Sequence, residues 1–134
     1  MKNAVVLDAF AMLVYLQKER GSDRVRELLA AGPENSRVIM NSINIGEVCY
    51  ILARERSAQE ADLFLNLIIP ALNIRIELNN LQDVMAAARI KASHAISYAD
   101  AFAAATAQKH EAALVTGDLD FKLVERFIDI EWLG

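Results

Sequence analysis

The feature that most restricts this chain is an alternation: short apolar, β-branched runs are separated by helical segments of ten or more residues. Parallel strands need crossover connections of that length, so the expected class is α/β, a central, mostly parallel sheet flanked by helices on both faces. Val5-Val6-Leu7 reads as the first strand, closed by Asp8, and Ala9 to Glu19 is helical in composition up to Gly21. Ser22-Asp23 caps a second helix through Ala31, which Gly32-Pro33 ends. Arg37 to Met40 is the second strand, and Ser42 opens a helix to about Glu55. Ser57-Ala58-Gln59-Glu60 has the form of a capping box for a helix that Pro70 closes or kinks, and Leu72 to Leu78 is the third strand. Asn79 or Asn80 caps a helix to about His94, and Ser97 with Asp100 starts another, Tyr98 to His110. Ala113 to Thr116 is a strand, and a short helix with a last strand near Ile128 to Glu131 completes the pattern. In open sheets of this kind ligands sit beyond the carboxyl ends of the strands, the side on which Asp8 and Asp118 both fall.

A chain of 134 residues is expected to be one domain, 1–134, that buries about two-thirds of its unfolded surface and needs no staple. At 54% apolar and 24% charged residues, disorder is excluded. Leu63 to Ile74 is an uncharged stretch of 12 residues containing Pro70, too short to span a bilayer. Asp8 interrupts the apolar run after Met1-Lys2, so no secretory leader is read there, and the lone Cys49 fits a reducing compartment. The expected setting is the cytoplasm. The net charge of -4 gives no bulk positive field, so any phosphate binding must be local.

Four acids stand alone in apolar company: Asp8, Glu47, Asp100 and Asp118. Each also has a local structural explanation, since Asp8 and Asp118 can cap the helices that follow, Asp100 can occupy the third helical position after Ser97, and Glu47 can be solvated. Together they point to one crevice. Clustered carboxylates repel and take up protons unless a divalent cation compensates them, and oxygen-only ligands select Mg²⁺ or Mn²⁺, which favours metal-assisted phosphoryl chemistry. His94, His110 and Cys49 have no zinc-site spacing, and no glycine-rich phosphate loop, nucleophile elbow or dinucleotide fingerprint is present. An aspartyl-phosphate phosphatase would want a second Asp two positions after Asp8, where Phe10 stands.

Val6-Leu7-Asp8-Ala9, Asn44-Ile45-Gly46-Glu47-Val48, Ser97 to Ala103 and Leu114 to Phe121 resemble, in order and spacing, the motifs of the PIN domain, above all its VapC-type toxin branch. The resemblance implies a metal-dependent endoribonuclease, the toxin of a VapBC-type toxin-antitoxin pair. Carried over, Asp8, Glu47, Asp100 and Asp118 would be the catalytic acids that bind Mg²⁺ or Mn²⁺, with Asp120 assisting at a second metal. Thr116 would orient the acids and Asn44 would be their polar partner. Phe10 departs from the family, which often has a small hydroxyl residue there. RNA is the implied substrate, a small antitoxin protein the implied partner, and a homodimer the implied assembly.

Leu63 to Leu72 is a candidate dimer surface or simply buried core, and Arg20, Arg24, Arg26, Arg54 and Arg56 are candidate phosphate contacts or a solvated face. Two rival functions remain open at this level: a PIN nuclease of RNA maturation or decay without an antitoxin, and a non-catalytic, metal-stabilised RNA- or protein-binding module.

Overall fold

Five strands lie side by side in the order β3-β2-β1-β4-β5, every neighbouring pair parallel. They are β1 (Val5–Leu7), β2 (Val38–Asn41), β3 (Ile74–Glu77), β4 (Ala113–Thr116) and β5 (Ile130–Trp132). This computed structural model describes residues 3–30 and 37–134, so the helix stop expected at Gly32-Pro33 lies outside the described residues. Between the strands run α1 (Ala9–Gln17), α2 (Ser22–Leu29), α3 (Ser42–Glu55), α4 (Ala58–Leu63), α5 (Ile69–Ala71), α6 (Leu81–Ser93) and α7 (Tyr98–Lys109).

The alternation of side chains along each strand explains why both faces are covered. Val6, Ile39 and Leu114 point into one core with α6 and α7, whereas Leu7, Met40 and Val115 enter the other with α1 and α3. Edge strand β3 is the exception, with Arg75 and Ile76 exposed. The alanine run of α7, buried from Ala101 to Ala107, brings that helix close over β1, β2 and β4. Among the described residues no helix is long and apolar enough to cross a membrane.

Several local expectations need correction. The N-cap of α2 is Gly21, at φ 98°, and no side chain caps that helix, so Ser22 is its first residue rather than its cap. α1 ends at Gln17 because Lys18 turns left-handed at φ 55° and closes the helix on the Tyr15 and Val14 carbonyls. Ser57 and Ser97 each accept their third-position N–H, but the reciprocal capping box is closed at Asn80 and Asp83 in α6. The helix before Pro70 loosens into a π-turn at Phe64–Ile68 and resumes as α5, with Pro70 in its first turn. From the end of α4 through that turn Phe64 is buried while Leu63, Leu65 and Leu67 are exposed, so the stretch is not simply core. The last strand starts at Ile130 because Ile128 is spent on the core.

Candidate active site

β1 and β4 lie at the centre of the sheet, where successive connections leave in opposite directions, and their carboxyl ends open the crevice typical of such sheets. Leu7 pairs with Val115, so Asp8 comes level with Thr116. Asp8, 3% exposed, is the N-cap of α1: its Oδ1 accepts the Ala11 N–H at 2.8 Å, and the Thr116 hydroxyl donates to its Oδ2 at 2.5 Å. Thr116 Oγ1 also accepts the Asp118 N–H at 3.0 Å, and Asp118 Oδ1 accepts the Asp120 N–H at 2.9 Å. One buried hydroxyl therefore joins the acid after β1 to the acid after β4.

The helices bring the remaining acids. Ser97 caps α7 by accepting the Asp100 N–H at 3.1 Å, which sets Asp100, half-buried, in the first turn. On α3, Asn44 Nδ2 donates to Glu47 Oε1 at 3.2 Å and to the carbonyl of Ala99, the residue before Asp100, at 3.1 Å. Carboxylate oxygens of Asp100, Asp118 and Asp120, one from each, all lie within 4.8 Å of one another. Asp8 and Glu47 stand outside that trio and couple to it through charge.

Burial pushes the Asp8 carboxyl up to about 7, against the bonds from Thr116 and Ala11 and with the help of negative Asp100 and Asp118. Asp100 rises to about 6, first by burial and then through Asp118 and Glu47. Glu47 is raised by burial and by Asp118, opposed by the Asn44 hydrogen bond. None of the ion pairs among the described residues involves these acids. Among the described residues no cation pairs with this negative charge, and a set of hard oxygen donors fits a divalent ion. Capping does not compete with this use: a carboxylate oxygen that accepts one hydrogen bond keeps a second lone pair.

Phe10 borders the same crevice. Phe10 is 41% exposed, and its ring lies so close to Gly117 that a Cβ there would clash with Cε1. The other reactive side chains are occupied elsewhere: burial and Asp62 push the Cys49 thiol up, His94 bonds the Ile90 carbonyl, and His110 bonds Glu77. Four of the arginines are taken as well, Arg24 by Glu131, Arg26 by Asp23, Arg56 by Glu60, and Arg54 over the Tyr50 ring.

Among the described residues, buried Asn41, Thr106 and Asp83 escape the sequence reading; Asp83 closes the cap of α6, and the side chains of Asn41 and Thr106 meet at 3.0 Å. The available signals were an Asn closing the apolar run Val38-Ile39-Met40 and a lone hydroxyl within the alanines of α7.

No curated protein matches the chain by sequence. Its fold is similar to that of DNA-bound VapBC from Salmonella typhimurium, at TM-score 0.72 and 18% identity over 96% of each chain. It is also similar to Mycobacterium tuberculosis VapC20, a sarcin-ricin-loop-cleaving toxin, at TM-score 0.72 and 16% identity over 89% of this chain and 93% of that one. A toxin-antitoxin complex from Klebsiella pneumoniae matches at TM-score 0.66 and 18% identity, over 90% and 92% of the two chains. With the PIN domain model matching residues 5–126 and its acids gathered at the carboxyl ends of β1 and β4, the chain belongs to the PIN domain family.

Proposed function

We propose that this protein, a single domain over 1–134, is a Mg²⁺- or Mn²⁺-dependent endoribonuclease and the toxin of a VapBC-type toxin-antitoxin pair in the cytoplasm. The observation that carries the reading is the group of carboxylates at the centre of a PIN fold, with which no cation among the described residues forms an ion pair. In this reading Asp100, Asp118 and Asp120 would hold the metal, with Asp8 and Glu47 completing the acidic set from the end of β1 and from α3. A bound divalent ion supplies charge stabilisation at the scissile phosphate and an attacking water of lowered pKa. The chain's own part is to hold the oxygens in place. Thr116 fixes Asp8 against the Asp118 backbone, and Asn44 fixes Glu47 against the first turn of α7. The Asp8 and Asp100 carboxyls, raised first by burial and then by neighbouring acids, carry a strain that a bound cation would relieve.

The toxin assignment is supported by fold likeness to VapC20 and to the Klebsiella pneumoniae complex, and it brings an antitoxin protein as partner. For the homodimer, a second copy would pack against exposed Leu63, Leu65 and Leu67. The direct test is cleavage of a labelled single-stranded RNA by purified protein. Internal cuts with Mn²⁺ that chelator abolishes are expected, and an Asp100→Asn protein that cuts as fast as the parent would overturn the assignment.

A further inference from the structure

Thr106, Asn41 and Asn44 form a buried hydrogen-bond chain that ends on Glu47, and backbone atoms fix its direction. Thr106 Oγ1 donates to the Phe102 carbonyl at 2.7 Å, so toward Asn41 it can only accept, and Asn41 Nδ2 donates to it at 3.0 Å. The Asn41 amide is held the same way round by its Oδ1, which accepts the Asn44 N–H at 2.8 Å. Asn41 Nδ2 also donates to Asn44 Oδ1 at 2.8 Å, which leaves Asn44 Nδ2 for the Ala99 carbonyl and Glu47. Reversing either amide would set acceptor against acceptor or donor against donor, and all three side chains are buried where water offers no substitute.

We infer that Thr106 and Asn41 are positioning residues for Glu47: through Asn44 they fix the carboxylate and clamp α3 to the turn of α7 that carries Asp100. The inference rests on the reading of Glu47 as part of the metal site. A chain that served packing alone would be complete at the Ala99 carbonyl, whereas this one spends its last donor on a carboxylate of the acidic group.

Manganese titration calorimetry on the parent, Thr106→Val, Thr106→Ser, Glu47→Gln and the Thr106→Val/Glu47→Gln double variant tests it, with a melt in chelator to show that each is folded. A partner directly behind a metal ligand is worth about 10- to 100-fold in affinity; Thr106 stands two hydrogen bonds behind Asn44, so a smaller loss, about threefold, is expected in Thr106→Val. Thr106→Ser, which keeps the hydroxyl, should restore parental affinity, and in the Glu47→Gln background Thr106→Val should weaken binding no further. Should Thr106→Val fail to melt cooperatively, Thr106→Ala, favourable in a helix, takes its place. Unchanged Mn²⁺ affinity in Thr106→Val, or an equal loss with and without Glu47, overturns the inference while the metal site stands. A parent that binds no Mn²⁺ overturns the metal reading itself and the inference with it.

Discussion

Asp100 lies among Asp118, Glu47 and Asp120, and burial together with their charge lifts its carboxyl from the ordinary 3.8 to about 6. A carboxyl raised on folding contributes stability below its unfolded value and loses it as pH climbs through the folded one. In chelator the parent should therefore weaken between about pH 4 and 6, a window that Asp8, raised to about 7, extends upward. Asp100→Asn should melt higher than the parent at about pH 7 to 8 in chelator, by a few degrees or about 1 kcal/mol, and gain less from Mn²⁺. Its cap is not at risk, because the Asp100 backbone N–H, not its carboxylate, meets Ser97. A variant that melts lower in chelator and responds to Mn²⁺ like the parent would remove Asp100 from the site. Gly117 offers a second test at this scale. A Cβ there would clash with the far edge of the part-exposed Phe10 ring, which must swing aside, so Gly117→Ala should cost about 1 kcal/mol, the low end of overpacking. In a Phe10→Ala background the same change should be near neutral, and additive losses in denaturant melts would show that the ring does not oppose the methyl group.

Where the chain carries strong local signals, the elements lie where composition and capping place them. β4 spans Ala113–Thr116 and α3 spans Ser42–Glu55, as read from a compact apolar run and from a polar residue opening an amphipathic stretch. The acids were legible for a related reason, since lone charges in apolar runs must be paired, hydrated or used. What was not legible depends on partners distant in sequence. Thr106 and Asn41 are 65 positions apart, and nothing local marks them as a pair. The π-turn at Phe64–Ile68 answers to which leucines find a core, and Gly21 displaced Ser22 as cap because the joint between α1 and α2 needs φ 98°. Gly21→Ala should therefore cost about 1 to 2 kcal/mol in backbone strain, aggravated by a Cβ placed 3.1 Å from that of Leu133. Thermal melts check this, and Mn²⁺ affinity should be unchanged because no site residue is touched. A Gly21→Ala protein as stable as the parent would mean that the joint relaxes.

For the whole molecule, a net charge of -4 and a cluster of acids would repel a polyanion, so under the proposed function a bound divalent ion should raise both stability and activity. An ion that binds only the folded state adds about 2.7 kcal/mol at a concentration ~100 times its dissociation constant, a shift of several degrees, whereas chelator should leave a folded but inactive protein. This separation of fold from activity also discriminates the enzyme from a binding module in cells. Expression of the parent alone should arrest growth, and the product of a small neighbouring gene should relieve the arrest by forming a stable complex. Asp100→Asn keeps the helix cap and the fold but loses charge stabilisation worth several kcal/mol, so its cleavage should fall by orders of magnitude and its expression should be tolerated. The variant should still capture the antitoxin, because one changed carboxyl leaves the rest of the surface intact. Arrest that persists with Asp100→Asn would mean that binding rather than cleavage causes it. Normal growth with soluble, RNA-cleaving parent protein would transfer the assignment to a nuclease of RNA maturation that has no antitoxin.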